Sequence, residues 1–242
     1  MAKKIYWDAG HGGSDPGAVK YVKEADVNIK VVNYAHDYLQ KNYKCESKKD
    51  ITAASINTIT SRANSWGANL FISVHFNAGG GDGYEALVYS SKNKDLGKCF
   101  EKHVKAIGQN SRGVKYRPDL GVLRLTKMKA ILNEIAFVDK KKDIQDWDEN
   151  SELQKMGIAL AKAAAEYLNL SKKAAPSTAA VSGSFKVRVK ISDLHIRKSH
   201  SRLSKSMGYI KPGVYTIVET YGNWGKLKSG VGWIHLGYTE KL

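Results

Sequence analysis

Two histidines and one acidic residue stand at places in the sequence where a metal ion could be bound. His11 follows a short predicted strand and lies in a glycine-rich loop, and His75 ends an apolar strand that again leads into glycines. Glu24 lies between them in the sequence, in the first turn of a predicted helix. Catalytic zinc sites use three protein ligands of these types and leave the fourth position for water. The set is therefore suited to hydrolysis by zinc-activated water.

Glu134 is a further candidate, because it interrupts an otherwise apolar predicted strand from Lys129 to Val138. A carboxylate buried in a strand is costly unless it is paired or ligated. Beside a zinc ion, Glu134 would act as general base and pass a proton to a leaving amine.

The residues by themselves leave simpler interpretations open. His11 could be a solvent-facing turn residue, and Glu24 could stabilise the positive end of its helix dipole. Glu134 could lie at an exposed strand end or pair with a lysine. The candidate ligands are far apart in sequence, so no short motif of the HExxH type decides between these interpretations.

The predicted elements alternate between strands and helices, which is typical of an α/β fold. Apolar, β-branched and aromatic runs predict strands at 3–7, 70–74, 83–89 and 129–138. Helical spacing of apolar residues predicts helices at 24–43, 55–67, 96–107 and 153–170. Ligands bind open α/β sheets beyond the carboxyl ends of the strands, which is where both histidines are predicted.

Two intervening segments have less regular patterns. We expect a loop with a short strand at 116–125, which contains proline and glycine. A run of acidic residues precedes the last helix, and we expect it to form the solvated start of that helix. The run comprises Asp143, Asp146, Asp148, Glu149 and Glu152.

A change of composition divides the chain into two predicted domains. Residues 172–183 contain only Lys, Ala, Pro, Ser, Thr, Val and Gly without periodicity, which indicates a linker. Residues 1–171 then form the predicted catalytic domain. Residues 184–242 predict a small all-β barrel, because short strand-like segments alternate with turns. These segments are 185–189, 194–197, 207–210, 214–219, 224–228 and 231–236.

The chain of 242 residues has a formal net charge of +16, and the charge is unevenly spread. Residues 184–242 carry 11 basic and 3 acidic residues, a net of +8, whereas residues 1–171 carry 26 and 20, a net of +6. A basic surface favours polyanions such as nucleic acid, anionic lipid or an anionic cell wall. No nucleic-acid-binding motif accompanies the charge, so we expect no nucleic-acid partner.

The sequence shows neither a secretion signal nor a membrane span. Its two cysteines, Cys45 and Cys99, form no disulfide or zinc-binding pattern, which is typical of synthesis in a reducing compartment.

Several segments resemble the successive motifs of the zinc-dependent N-acetylmuramoyl-L-alanine amidases, the amidase-3 family. They are Asp8–Gly13, Asp15–Ala18, Glu24, Ser73–Ala78 and Asn133–Val138, and the resemblance covers roughly residues 1–170. It implies a mixed sheet flanked by helices and hydrolysis of the amide between N-acetylmuramic acid and L-alanine.

The resemblance also implies roles for single residues. It makes His11, Glu24 and His75 the ligands of one Zn²⁺ and Glu134 the catalytic carboxylate. Arg62 and Asn77 have residue types that the family often has at the matching positions, and we expect them to be supporting residues. Ala136 departs from the family, which more often has glycine there. The remaining histidines match no motif and are expected to be surface or packing residues, namely His36, His103, His195, His200 and His235.

The C-terminal segment resembles bacterial Src-homology-3-type (SH3-type) cell-wall-binding domains. The matching stretches are Leu194–Arg197, Gly208–Gly213, Trp224–Leu227 and Gly232–His235. The implied role is to hold the enzyme on peptidoglycan, which raises the effective concentration of the catalytic domain at its substrate. Its basic charge fits anionic wall polymers. Five aromatic residues could line a binding groove, although we expect Trp233 to belong to the core: Tyr209, Tyr215, Tyr221, Trp224 and Trp233.

Together these observations predict a peptidoglycan hydrolase resembling phage endolysins. It would be made in the host cytoplasm without a signal peptide and would act on the wall after release. A bacterial autolysin of the same activity is an alternative, as is a zinc endopeptidase that cleaves within the stem peptide. A wall-binding protein with an inactive amidase domain is disfavoured, because all four key side chains are present.

Overall fold

A computed structural model describes residues 2–173, 184–201 and 204–242, and most of the predicted linker lies outside these residues. The chain divides into two compact units, Met1–Lys173 and Ala174–Leu242. The first contains six strands: β1 (Lys3–Ala9), β2 (Cys45–Asp50), β3 (Leu70–Asn77), β4 (Tyr84–Val88), β5 (Ser111–Tyr116) and β6 (Lys129–Phe137). It also contains six α-helices: α1 (Glu24–Asn42), α2 (Ile56–Trp66), α3 (Lys94–Lys105), α4 (Gly121–Arg124), α5 (Lys141–Ile144) and α6 (Asn150–Tyr167).

The strands form one sheet in the order β2-β1-β3-β6-β4-β5. Strands β2, β1, β3 and β6 run parallel, whereas β4 runs antiparallel to β6 and carries β5 parallel to itself. The carboxyl ends of β1, β3 and β6 therefore lie at one edge of the sheet. Every residue that we predicted to be a metal ligand or the catalytic carboxylate lies in or near these strands or at the start of α1.

Helices cover both faces of the sheet. One apolar core joins the sheet to α1, α3 and α6, with fully buried Trp7 and Phe100, and the second joins it to α2 and α4 around Phe71. Gly157 lets α6 approach α1 closely, since a Cβ there would lie 2.7 Å from the carbonyl oxygen of Val31. A mixed sheet flanked by helices confirms the predicted fold class of this unit.

Local signals account for the boundaries of α2. Ser55 precedes the helix in an extended conformation, and its side chain accepts a hydrogen bond from the amide of Thr58. Gly67 ends the helix with a φ of 69°, a left-handed conformation that glycine adopts without strain. This is the end predicted from the sequence.

Two expectations were wrong, and two strands of this unit were missed. Strands β2 and β5 were not predicted, because both are polar edge strands without an apolar run. The segment 116–125 contains the short helix α4 in place of a short strand. Asp143 is buried at the start of α5, where its carboxylate accepts hydrogen bonds from the amides of Gly83 and Phe137. The other members of that acidic run are exposed or half-buried.

The second unit is an all-antiparallel, seven-stranded sheet in the order β13-β7-β10-β11-β12-β8-β9. Its strands are β7 (Phe185–Val189), β8 (Leu194–Arg197), β9 (Ser206–Ile210), β10 (Gly213–Tyr221), β11 (Trp224–Leu227), β12 (Trp233–His235) and β13 (Thr239–Lys241). Val187, Ile217 and Ile234 belong to its buried core. Trp233 is also buried, as expected. Among the helices of the described residues, none has the length and hydropathy needed to cross a membrane.

Candidate metal centre

The parallel pairing of β1 and β3 brings His11 and His75 together. His75 lies in β3, and His11 lies two residues beyond β1, where the amide of Gly10 donates to the carbonyl of Val74 at 3.0 Å. Glu24, the first residue of α1, reaches back to both histidines. Its Oε1 atom lies 3.3 Å from Nε2 of His11 and 3.0 Å from Nδ1 of His75.

The three side chains fit a metal ion. One ligand atom from each lies within 4.8 Å of the others, and the donor set of two imidazoles and a carboxylate matches catalytic zinc. Burial alone would raise the pKa of Glu24. Hydrogen bonds with His75 and the amide of Ala18 outweigh this effect and lower the pKa below its ordinary value. Glu24 is therefore an anion, the form in which a carboxylate binds metal.

Two glycines leave the space that these ligands occupy. A Cβ on Gly10 would lie 2.0 Å from Cε1 of His75 and would overlap the imidazole ring. Gly17 has a φ of 65°, and a Cβ there would lie 2.6 Å from the Glu24 carboxylate and 2.8 Å from the His11 ring. Both positions therefore require glycine, the first for close approach and the second also for its backbone conformation.

Asp15 orients His11. No role was predicted for Asp15 from the sequence, although it belongs to one of the motifs that resemble the amidase-3 family. Its Oδ2 atom lies 2.8 Å from Nδ1 of His11. This contact leaves Nε2 of His11 directed at Glu24. Carboxylates bound to the second nitrogen of a ligating histidine set the tautomer and orientation of the ring. The spacing of four residues within one glycine-rich loop was the available sequence signal.

Glu134 lies in the middle of β6 and not at a strand end. It pairs with His75 of β3 on one side and with Glu85 of β4 on the other. Its Oε2 atom is buried, with no hydrogen-bond partner among the described residues. Burial raises the pKa of Glu134 to about 7; His75 opposes the rise, while Glu24 and Glu85 add to it. A carboxyl with this pKa can both take up and release a proton near neutral pH.

The two expected supporting residues make local hydrogen bonds, and their supporting role stays a prediction. The guanidinium of Arg62 donates to Oδ2 of Asp50 at 2.8 Å and to the hydroxyl of Thr52 at 3.0 Å. The side chain of Asn77 accepts a hydrogen bond from the amide of the next residue, Ala78, at 2.8 Å. Arg62 therefore stabilises the end of β2, and Asn77 shapes the turn after β3.

A second group of metal-ligating residue types, which was not predicted from the sequence, joins α3 to α6. Cys99, His103 and Glu166 place one ligand atom each within 4.8 Å of one another. Here the exposed carboxylate of Glu166 is already paired with the ammonium of Lys102 at 2.6 Å and with His103 at 2.9 Å. These contacts are typical of an ion-paired helix contact, consistent with the surface role expected for His103.

Comparisons with known proteins identify the family of this chain. The amidase-3 family model, described as N-acetylmuramoyl-L-alanine amidase, matches residues 5–166. The chain is 35% identical to an endolysin of Bacillus phage SPP1 over 192 residues, which is 73% of this chain and 70% of the endolysin. It is 33% identical to the N-acetylmuramoyl-L-alanine amidase CwlM of Bacillus licheniformis over 183 residues, 71% of each chain.

A solved structure shows the same fold. The catalytic domain of CwlV, an N-acetylmuramoyl-L-alanine amidase from Bacillus (Paenibacillus) polymyxa var. colistinus, superposes with a TM-score of 0.66 at 27% identity. The match covers 70% of this chain and 99% of that domain. Since the family match spans nearly the whole first unit, including all the elements around His11, Glu24, His75 and Glu134, the chain belongs to the amidase-3 family and is an N-acetylmuramoyl-L-alanine amidase that hydrolyses peptidoglycan.

Proposed function

We propose that His11, Glu24 and His75 hold one zinc ion and that Glu134 is the general base of the amidase reaction. The observation that carries the proposal is the convergence of four side chains at the carboxyl edge of β1, β3 and β6, with Glu134 paired directly beside His75. Family membership favours the amide of L-alanine as the cleaved bond over the bonds within the stem peptide.

The residues of this chain would move the protons of the reaction. When bound, zinc lowers the pKa of water and polarises a carbonyl. Glu134 takes a proton from the attacking water and then donates it to the amine of L-alanine as the amide bond breaks. Its pKa of about 7 suits both steps. Asp15 keeps His11 in the orientation that presents Nε2 to the ion.

The experiment that tests this proposal is digestion of purified peptidoglycan by the full chain, with and without a zinc chelator, followed by analysis of the new termini. We expect free amino groups of L-alanine on released stem peptides, an intact glycan, and loss of both hydrolysis and bound zinc in His75→Ala. The matched control is His103→Ala, which should keep both. Hydrolysis that persists in the chelator or in His75→Ala would contradict the zinc proposal, and new amines on other residues would indicate an endopeptidase.

The biological setting that we propose is a phage endolysin, made in the host cytoplasm and acting on the wall after release. The similarity to an endolysin supports it. A bacterial autolysin remains the second candidate, because the chain is also 30% identical over 201 residues to a sporulation-specific N-acetylmuramoyl-L-alanine amidase of Bacillus subtilis. Expression from a prophage lysis operon or from a sporulating host would decide between them.

We further propose that residues 184–242 are an SH3-like wall-binding domain, joined to the catalytic domain of residues 1–171 by a linker at 172–183. A cavity of about 340 Å³ between β8, β11 and the end of β12 supports a binding role. Arg197, Trp224 and His235 are among its lining residues. Asp193 also lines the cavity, and this mixture of aromatic, cationic and acidic groups suits a polar wall polymer such as peptidoglycan.

Wall binding can be separated from catalysis by one variant. Trp224→Ala should lower the fraction of protein that sediments with purified walls and leave hydrolysis of soluble muropeptides unchanged. Binding that weakens as salt rises would indicate an anionic wall polymer. Unchanged sedimentation of Trp224→Ala would contradict the assignment of this cavity.

A further inference from the structure

A buried acidic residue on the strand next to Glu134 holds two basic side chains in place. Glu85 of β4 pairs with Glu134 of β6, so the two carboxylates lie on the same face of the sheet about 5 Å apart in backbone position. The side chain of Glu85 is only 8% exposed. Its Oε1 atom accepts from Nε of Arg112 at 2.5 Å and from Nζ of Lys115 at 2.6 Å, both on the edge strand β5.

Arg112 and Lys115 together carry more positive charge than the carboxylate of Glu85 neutralises. One carboxylate paired with two cations leaves a net positive charge, and the side chains of Arg112 and Lys115 remain 42% and 41% exposed. A guanidinium has five N–H donors, and the contact with Glu85 uses the one on Nε. The remaining donors make Arg112 suited to a second, external anion.

Arg112 is held on a second side as well. Its guanidinium carbon lies 5.3 Å from the centre of the Phe137 ring. Phe137 packs so closely against Gly81 that a Cβ there would lie 2.3 Å from the ring. The guanidinium therefore has little freedom to lose when a ligand binds, which favours tight binding of an anion.

We propose that Arg112 and Lys115 form a subsite for the free carboxylate on the stem-peptide residue that follows L-alanine. The inference rests on the assignment of Glu134 under the proposed function. An extended peptide advances about 3.5 Å per residue and neighbouring strands lie about 4.8 Å apart. We place the scissile amide at Glu134 and the stem peptide running from β6 toward β4, so that the next residue reaches the position over Glu85 where both cations converge.

The charge of the subsite sets its selectivity. Arg112 and Lys115 contribute two positive charges beside the single carboxylate of Glu85. They would bind the carboxylate form of the second residue and discriminate against its amide, which carries no charge.

The test is a competition between two soluble muropeptides that differ only at the second residue of the stem peptide, a glutamate with a free α-carboxylate or the same residue with an α-amide. The ratio of their rates of consumption in one mixture gives the ratio of kcat/KM. We expect the wild-type chain to prefer the carboxylate substrate by about tenfold in kcat/KM. A preference of this size corresponds to the binding free energy of one charge-assisted hydrogen bond. Arg112→Gln and Lys115→Met should each reduce this preference, through a higher KM for the carboxylate substrate at nearly constant kcat.

The matched control is Lys98→Met on α3, whose ammonium pairs with Glu101 at 2.6 Å. It should keep the wild-type preference. Equal consumption of both substrates by the wild-type chain would overturn the proposal, and so would folded Arg112→Gln and Lys115→Met variants that keep the wild-type preference. The wild-type measurement needs no variant, so it is decisive even if a substitution impairs folding. Chelator-sensitive hydrolysis without preference overturns the subsite alone, whereas chelator-insensitive hydrolysis overturns the zinc centre.

Discussion

His75 of β3 lies directly beside Glu134 of β6 in a parallel ladder of the sheet. A proposed metal ligand and the proposed general base are thus positioned by neighbouring central strands, whose backbone hydrogen bonds hold them more rigidly than loops would. The ladder contains an irregularity between His75 and Asn77. Such bulges often re-aim side chains next to active sites.

Replacement of Glu134 by Gln should abolish proton transfer and leave the metal ligands in place. We expect kcat to fall by about 10²- to 10⁴-fold, the typical contribution of general acid–base catalysis. Zinc content should stay at the wild-type level, and the melting temperature should not fall, because the variant keeps the shape of the side chain and removes a negative charge that is buried beside an unpartnered oxygen, Oε2. Activity near the wild-type level in Glu134→Gln, measured on soluble muropeptides, would rule out the general-base role.

Replacement of Asp15 by Ala should weaken metal binding without removing a ligand. His11 would lose the carboxylate 2.8 Å from its Nδ1 atom, and loss of such a contact costs about 10- to 100-fold in metal affinity or activity. Zinc titration of the apoprotein measures the affinity, and added zinc should restore hydrolysis. Asp26→Ala, which removes an exposed carboxylate of α1, is the control. An unchanged zinc affinity in Asp15→Ala would mean that His11 is oriented by its backbone alone.

Asp50 should make stability depend on pH in the acid range. Burial alone would raise its pKa, but hydrogen bonds from Thr52 and Arg62 outweigh burial, so the pKa lies below its ordinary value of 3.8. A lowered pKa in the folded state stabilises the protein above the pKa of the unfolded state, and this contribution is lost as pH falls through the folded value.

Chemical denaturation at a series of pH values tests this. Near pH 7, Asp50→Asn should lower the free energy of unfolding by about 1–2 kcal/mol, and the difference from wild type should shrink below about pH 4. Asp26→Asn should change stability little over the same range, because its carboxylate is exposed. A difference that stays constant down to the acid limit would show that the Asp50 charge is not what stabilises the end of β2.

Gly157→Ala should destabilise the first unit although alanine is the better helix former. The substitution gains about 1 kcal/mol of helix propensity. The added methyl group would lie 2.7 Å from the Val31 carbonyl oxygen and from Cβ of Tyr34, and overpacking of this kind costs about 1–3 kcal/mol. We expect a net loss, seen as a lower melting temperature. Lys162→Ala, at an exposed position of the same helix, should show no such loss. A higher melting temperature for Gly157→Ala would mean that the two helices can separate freely.

The sequence by itself determined the main elements and the residue types of the centre. Apolar periodicity predicted β3, β6 and the long helices, since burial of one face leaves a pattern that is local in the chain. We could select site candidates from the sequence, because buried or loop-bound groups of these types are uncommon without a partner. The candidates were the histidines at the ends of predicted strands, Glu24 and Glu134. The order of the motifs predicted the family, which the comparisons confirmed.

Only the tertiary structure decided which groups meet across the sheet. Strands β2 and β5 are polar edge strands and have no apolar pattern. They are defined by backbone pairing with strands that lie far away in the sequence. For the same reason, Asp143 could not be distinguished from its exposed acidic neighbours, and Arg62 could not be assigned to Asp50. The row from His75 through Glu134 to Glu85 depends on strand order and register. Long-range backbone pairing sets both, and no local sequence pattern carries that information.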